Sequence, residues 1–269
     1  MTQLLFSPRA VRRAAAVAAV AAALLLTGCS GATAPAATPK SAAPQTLTVY
    51  AAASLTATFT QLGKDFEAAH PGVTVDFDFD GSSTLVAQLA QGAPADVFAS
   101  ADEKNMQAAA TQKLIAGHPI DFATNTLEIA TPPGNPAHLA SFADLAKPGI
   151  KTVVCADGVP CGNAVEQVEK NTGITIAPLS EEQSVTNVLA KVESGDADAG
   201  VVYVTDVKGA AGKVTGVEFP EAKQVVNSYP IAVTTGARRP ELAKRFIAYV
   251  TGAQGRATLA AAGFGAPAE

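Results

Sequence analysis

Hydrophobic residues recur at two different spacings along this chain, and the spacing changes from one segment to the next. A short β-like run, residues 46–50, precedes apolar residues at the helical spacing of four, three and four: Leu55, Phe59, Leu62 and Phe66. Ser54 therefore lies where a strand ends and a helix begins. Serine is a preferred helix N-cap, and the free N–H groups of a first helical turn also suit an anion. The pattern leaves both roles of Ser54 open.

The next segments repeat this strand-to-helix order. Apolar residues at 73, 75, 77 and 79 alternate with polar ones, which is typical of a strand with one solvent-facing side. The strand ends at Gly81-Ser82-Ser83-Thr84, where a helical run begins, so Ser82 marks a second junction. A strand over 94–100 and a helix over 101–114 follow. This order predicts an α/β fold with a parallel sheet, whose ligands bind beyond the carboxyl ends of the strands.

A strand over 126–131 is predicted to leave this first unit, and a second α/β unit follows. The predicted strands and helices of the second unit are residues 151–155, 160–170, 185–192 and 199–204. A strand over 231–234 returns the chain to the first unit, and helices over 240–251 and 258–262 complete it. The strand over 199–204 is apolar and carries Tyr203. Gly-x-Ser-x-Gly does not occur in the sequence, which argues against a hydrolase nucleophile elbow.

The first 45 residues have the composition of an export signal and a tether. Arg9, Arg12 and Arg13 precede an apolar run of 13 residues, Ala14 to Leu26, which is too short to span a bilayer. Leu26-Thr27-Gly28-Cys29 resembles a bacterial lipobox, whose cysteine is lipidated and becomes the mature N-terminus. Residues 30–44 are mostly Ser, Ala, Pro, Thr and Gly. We therefore predict a lipoprotein signal peptide at 1–28 and a disordered tether at 29–45.

Charge and cysteine content narrow the possible functions. From Cys29 onward the chain keeps 16 of 19 Lys and Arg and all 24 Asp and Glu, giving 16 − 24 = −8, which disfavours binding to nucleic acid. Cys155 and Cys161 bracket a short turn and can pair outside the cytoplasm. No metal site is predicted, because the three histidines are scattered along the chain: His70, His118 and His138.

Four segments together resemble one family, the periplasmic molybdate-binding proteins of ABC transporters. They are Ala51-Ala52-Ala53-Ser54-Leu55-Thr56, Gly81-Ser82-Ser83-Thr84-Leu85, residues 92–102 (Gly-Ala-Pro-Ala-Asp-Val-Phe-Ala-Ser-Ala-Asp) and residues 200–206 (Gly-Val-Val-Tyr-Val-Thr-Asp). The resemblance covers residues 46–265 and implies a type II periplasmic-binding-protein fold. In that fold each of two lobes is a mainly parallel sheet flanked by helices, and the ligand lies in the cleft between them.

The resemblance also implies the site residues. Ser54 and Ser82 would each offer a hydroxyl and a backbone N–H, Cys161 and Val185 would offer backbone N–H groups, and Tyr203 would offer its phenol. Such a site has only donors and no resident cofactor or metal cation. It suits a fully ionised tetrahedral dianion, molybdate or tungstate, whereas phosphate near neutral pH keeps a proton that needs an acceptor. Rejection of sulfate would depend on the size of the cavity.

Two positions depart from the family pattern. Cys161 stands where alanine is expected, although its proposed contact is through the backbone. Asp80 stands where an uncharged residue is expected, and a carboxylate facing the ligand would favour phosphate or arsenate. The alternatives are therefore a binding protein for sulfate, thiosulfate or phosphate, an exported serine hydrolase acting through Ser54 or Ser82, and a structural lipoprotein without a ligand.

The whole chain is interpreted as a lipid-anchored monomer on the extracytoplasmic face of the cell membrane. It would capture the oxyanion and deliver it to an ABC permease, with no role in enzyme catalysis. Lobe 1 is predicted to comprise residues 46–127 and 229–269, and lobe 2 residues 128–228. The lipid on Cys29 would hold the protein at the membrane.

Overall fold

A computed structural model describes residues 44–267 of the chain. The predicted signal peptide, the lipidation residue Cys29 and the tether up to residue 43 lie outside the described residues. Within the described part, no helix is both long and apolar enough to cross a bilayer. The described residues belong to a single compact unit, Ser41–Glu269.

Nine strands and eight α-helices alternate along the described chain. The strands are β1 Gln45–Ala52, β2 Val73–Asp80, β3 Val97–Ala99, β4 Ile115–Thr131, β5 Thr152–Cys155, β6 Ser180–Glu182, β7 Ala199–Tyr203, β8 Thr215–Val217 and β9 Val226–Thr234. The α-helices are α1 Thr56–Ala69, α2 Ser82–Ala90, α3 Glu103–Thr111, α4 Pro160–Thr172, α5 Val185–Glu193, α6 Val204–Gly209, α7 Pro240–Thr251 and α8 Ala253–Ala262. Short 3-10 helices span Ala53–Leu55, Phe142–Ala146 and Pro220–Gln224.

The strands form one sheet in the order β2-β1-β3-β9-β4-β7-β5-β6, with β8 beside β4. Strands β1, β2 and β3 pair in parallel, as do β5, β6 and β7. The two long strands β4 and β9 run antiparallel to their neighbours. The predicted α/β fold is confirmed, and its sheet is mixed, because β4 and β9 connect the two parallel groups.

Strand β4 is much longer than predicted. The sequence pattern indicated a strand only over 126–131, whereas β4 begins at Ile115. Its first part pairs with β9 through register shifts between Ala116 and Ile120, where Gly117 has φ +79° and Pro119 has no N–H to donate. These bulges break the period-2 alternation, so the first part of the strand was missed.

Hydrophobic residues collect in separate clusters on the two sides of the β4–β9 pair. One cluster surrounds β5 and β7 and includes Val153, Val188 and Val201. Two others cover the opposite faces of the β1–β3 group, since Val49 and Ala51 face one cluster and Tyr50 faces the other. We call β1–β3, α1–α3, α7 and α8 the first half, and β5–β8 with α4–α6 the second half. The predicted lobe boundaries near residues 127 and 228 stay a prediction.

Candidate anion-binding site

The five predicted site residues line one cavity where the two halves meet. These residues are Ser54, Ser82, Cys161, Val185 and Tyr203, and the other lining residues are Ala52, Ala53, Gly81, Ala101, Val159 and Pro160. The cavity is small, because only about 10 Å³ of it is open to the centre of a water molecule, within about 190 Å³ of space between the lining atoms. A site of this size suits a compact ion better than an organic ligand, whose pockets usually exceed roughly 300 Å³.

Three helices begin at this cavity. Ser82 is the first residue of α2, Val185 the first of α5, and Cys161 the second of α4, after Pro160. The N–H groups of a first helical turn have no partner within the helix, and the helix dipole makes that end positive. The cavity is therefore surrounded by backbone donors from both halves, although none of its lining residues is Lys or Arg.

Ser54 does not cap a helix. It lies inside the 3-10 turn Ala53–Leu55, and α1 starts after Leu55 without a side-chain cap. Its Oγ is instead 3.0 Å from the Oη of Tyr229, and both side chains are buried. The interpretation of Ser54 as an ordinary N-cap is therefore wrong, because its hydroxyl is held by a tyrosine from β9.

The hydrogen bonds of the other two hydroxyls leave their protons available to the cavity. The backbone N–H of Ala101 donates to Ser82 Oγ at 3.0 Å. The amide nitrogen of Asn227 donates to Tyr203 Oη at 3.1 Å and to the carbonyl of Ala101 at 2.9 Å. Because each hydroxyl oxygen already accepts a hydrogen bond from inside the protein, its own O–H remains able to donate to an anion in the cavity.

Tyr229 is itself held by a neighbouring side chain. Asn125 Nδ2 donates to Tyr229 Oη at 3.3 Å and to Thr205 Oγ1 at 2.8 Å. Either hydroxyl can be the donor in the bond between Ser54 and Tyr229. When Tyr229 donates, the Ser54 O–H is available to the cavity.

The two tyrosines stay protonated. Burial raises the pKa of Tyr203 well above its usual value of 10.0, and the nearby Tyr229 and Asp102 raise it further. Burial likewise raises the pKa of Tyr229. Both phenols are therefore hydrogen-bond donors at any physiological pH.

The acidic residue next to the site, Asp80, does not line the cavity. Asp80 Oδ1 accepts from the backbone N–H of Gly81 at 2.7 Å, and Asp80 is not among the residues that line the cavity. No carboxylate lines the cavity at all, within the described residues. The described residues also contain no group of three or more His, Cys, Asp or Glu that could hold a metal ion.

A larger cavity of about 600 Å³ lies elsewhere, between α3 and the bulged part of β4. Its lining includes Lys104, His118 and Asp121, and it contains none of the five predicted residues. Convergent donors rather than volume identify a site for a small ion. We therefore assign the anion site to the small cavity.

Residues 47–265 match the family model of the bacterial extracellular solute-binding proteins. This chain belongs to that family. It is 54% identical over 223 residues to the molybdate-binding protein ModA of Mycobacterium tuberculosis (strain ATCC 25618 / H37Rv), covering 83% of this chain and 85% of that protein. It is 32% identical over 223 residues to the molybdate-binding protein ModA of Escherichia coli (strain K12), covering 77% and 84%. The structure of the periplasmic molybdate-binding protein of Azotobacter vinelandii superimposes with a TM-score of 0.72 at 26% identity, covering 82% and 100%.

Membership of this family confirms the resemblance seen in the four motifs. A solute-binding protein is not an enzyme, so the serine hydrolase alternative is wrong. The contacts of the two serines are consistent with this conclusion. Ser54 bonds to Tyr229, and Ser82 bonds to the backbone of Ala101. Neither of these contacts provides the general base that a serine nucleophile needs.

Three buried residues of this solute-binding protein were missed by the sequence motifs. Asn125 on β4 and Asn227 on β9 are register partners, and Tyr229 lies two residues further along β9. Asn227 bonds to the Tyr203 hydroxyl and Tyr229 to the Ser54 hydroxyl, while Asn125 acts on the site through its bond to Tyr229. The sequence did carry one signal for the two asparagines, namely an asparagine within each strand. A polar side chain buried in a strand needs a specific hydrogen-bond partner, so such a residue is a candidate for a role in a site.

Proposed function

We propose that this solute-binding protein captures molybdate, and also tungstate, for import by an ABC permease. One observation carries the proposal, namely the cavity surrounded by O–H and N–H donors from both halves, with no carboxylate and no metal cluster among the described residues. A fully ionised tetrahedral dianion only accepts hydrogen bonds, so each of its oxygens can be satisfied there. The molybdate-binding relatives support the same ligand.

Ser54, Ser82 and Tyr203 would bind the anion through their hydroxyls. Cys161 and Val185 would bind it through backbone N–H groups at the starts of α4 and α5. Because these groups come from both halves, the anion makes its full set of contacts only when the halves are together. Binding would then shift the protein from an open to a closed form.

The experiment is calorimetry with the protein from residue 30, which leaves out the predicted lipid-bearing cysteine. Molybdate, tungstate, sulfate, thiosulfate and phosphate are titrated separately at one pH and one salt concentration. We expect molybdate and tungstate to bind far more tightly than the other three. Tight binding of sulfate or phosphate with weak binding of molybdate would contradict the proposal and favour the alternative oxyanions.

We also propose that a lipid on Cys29 anchors the protein to the extracytoplasmic face of the cell membrane, as a monomer beside its permease. The lipobox-like Leu26-Thr27-Gly28-Cys29 and the polar tether support this anchor. In membrane fractionation, Cys29→Ala is expected to move the protein from the membrane to the soluble fraction. Retention of Cys29→Ala in the membrane would contradict lipid anchoring.

A further inference from the structure

A second set of contacts joins the two halves outside the cavity. Asn163 on α4 donates from Nδ2 to Asp102 Oδ2 at 2.8 Å, and its Oδ1 accepts from Lys104 Nζ at 2.7 Å. Asn105 Nδ2 donates to the carbonyl of Gly158 at 3.0 Å. We call these five residues the cross-half bridge. None of them lines the anion cavity.

The bridge uses both ends of a single amide. The nitrogen of Asn163 faces a carboxylate and its oxygen faces an ammonium group, so both hydrogen bonds are charge-assisted and stronger than neutral ones. Asp102 and Asn105 are buried in this arrangement, at 8% and 6% exposure. Water therefore competes weakly for the bonds of Asp102 and Asn105 while the halves are together, whereas the bond from Lys104 to Asn163 is exposed to solvent.

The first-half side of the bridge is built without help from the second half. Asp102 caps α3 by accepting from the backbone N–H of Asn105 at 2.9 Å, and it also accepts from the Asn105 side chain. Of the hydrogen bonds that the Asp102 carboxylate accepts, only the one from Asn163 comes from the other half. Asp102 is consequently held in position before Asn163 arrives, which lowers the entropy cost of forming the bridge.

The second-half side is held by a disulfide. Cys155 and Cys161 are bonded, with their Cα atoms 5.6 Å apart, and the loop they close contains Gly158. The loop packs tightly on the start of α4, since a Cβ on Gly162 would lie 2.1 Å from the carbonyl oxygen of Ala156. The Gly158 carbonyl and the Cys161 N–H thus lie in one covalently closed ring, and Asn163 is joined to this ring because its Nδ2 also donates to the Gly158 carbonyl at 3.3 Å.

We propose that the cross-half bridge is a latch that slows release of the bound anion, and that the Cys155–Cys161 disulfide positions its second-half side. The proposal rests on the proposed function. Asn163, Asp102 and Lys104 do not touch the anion and act by holding the halves together. They therefore control the dissociation rate more than the association rate, as contacts formed late in binding do.

The first test measures molybdate kinetics by stopped flow on the protein from residue 30. Loss of two charge-assisted bonds in Asn163→Ala is expected to raise the dissociation rate about tenfold or more, with the association rate changed by less than about threefold. The control is Asn171→Asp, an exposed asparagine on the same helix. An Asn163→Ala dissociation rate within twofold of the unmodified protein overturns the latch.

A charge exchange separates the latch from a general effect on folding. Asn163→Asp places a carboxylate against Asp102 and is expected to weaken the bridge. Adding Asp102→Asn restores a donor and an acceptor with their roles exchanged, and asparagine still caps α3. We expect the double variant to recover a slow dissociation rate. Failure of the double variant to recover, while both single variants fold normally, contradicts the latch.

The disulfide is tested with Cys155→Ala/Cys161→Ala, which keeps the backbone N–H of residue 161. We expect the anion to dissociate faster from this variant. We also expect Asn163→Ala to increase the dissociation rate by a smaller factor in this variant than in the unmodified protein, because the two changes act on one unit. Unchanged dissociation in the double cysteine variant shows that the disulfide does not position the latch.

A distance measurement without anion tests the latch independently of which ligand the protein binds. Nitroxide labels at Lys64 on α1 and Gln167 on α4, both exposed, report the distance between the halves. Asn163→Ala is expected to shift the population toward longer distances. If no oxyanion binds in calorimetry, the proposed function fails, but the label distances still test the latch. Identical distance distributions for the unmodified protein and Asn163→Ala would overturn it.

Discussion

Single hydrogen-bond directions determine what this site can accept. Ser82 and Tyr203 each accept a hydrogen bond from inside the protein, from Ala101 and Asn227, and each keeps an O–H that can donate to a ligand in the cavity. An anion that carries its own proton would meet donors only and leave that proton unpaired. We therefore expect the proposed site to discriminate against protonated anions.

The phenol of Tyr203 is expected to contribute directly to affinity. Tyr203→Phe keeps the ring and its packing but removes the O–H, so molybdate affinity should fall by about 1.5–3 kcal/mol, the range for hydrogen bonds to charged groups. Calorimetry measures this loss. Tyr249→Phe, on α7 and away from the cavity, is the matched control. A loss of only a few tenths of a kcal/mol for Tyr203→Phe would show that Tyr203 is not a ligand.

Asp206 is expected to make stability depend on pH. Burial raises its pKa from 3.8 to about 7, although it accepts from the backbone N–H of Tyr203 at 2.9 Å. Between these values the folded protein holds a proton that the unfolded chain has released. The stabilising contribution is therefore complete below pH 4 and is lost as the pH rises through about 7.

Comparison with Asp206→Asn isolates this effect, because the amide oxygen can still accept from Tyr203. Glu128 also has its pKa raised to about 7, chiefly by burial, so both proteins lose some stability with rising pH. Urea unfolding at pH 4 and pH 8 should show a smaller loss in the variant, by at most about 4 kcal/mol. An equal loss of unfolding free energy between pH 4 and pH 8 in the two proteins would contradict a protonated Asp206.

At the scale of elements, the site depends on where helices begin and how closely they approach. Gly81 precedes α2 with φ −58°, a conformation open to any residue. A Cβ at this position would nevertheless lie 2.0 Å from the backbone oxygen of Gln183 in the second half. Glycine is thus required here by the contact between halves and not by its own backbone.

The Gly81→Ala variant is therefore expected to fold normally, but its two halves should come together less closely around the cavity. Molybdate affinity should drop about tenfold or more, as a backbone oxygen cannot move away cheaply, while the melting temperature without anion stays unchanged. Gly236→Ala is the control, because its Cβ would meet no atom within 4 Å. Calorimetry and thermal unfolding of both variants check the prediction. Equal molybdate affinities for Gly81→Ala and Gly236→Ala would contradict it.

The same scale shows why the long strand β4 was only partly predicted. Period-2 alternation identified β2, where one side faces solvent, and it failed at the bulges between Ala116 and Ile120. Helices α1, α5 and α7 were well predicted, since each buries one apolar stripe.

At the scale of the whole molecule, binding and stability are linked. An anion that binds only the folded, closed form stabilises it by about 2.7 kcal/mol at 100 times the dissociation constant. For a chain of this size that corresponds to a rise in melting temperature of about 5–10 °C. We expect this rise with molybdate, little change with equal sulfate, and full reversal after dialysis. A rise of the same size with sulfate would contradict selective binding.

The sequence alone predicted the α/β fold, and through its resemblance to a family it named five of the residues that line the cavity. It could do so because helical and strand periodicity and short motifs are local, and each is readable within about ten residues. Only the tertiary structure decided the rest: that Ser54 bonds to Tyr229 and does not cap a helix, that Asn227 turns the phenol of Tyr203, and that Asn163 reaches Asp102 across the boundary between the two halves. These pairs lie 175, 24 and 61 residues apart in the chain, so only folding brings them within hydrogen-bonding distance.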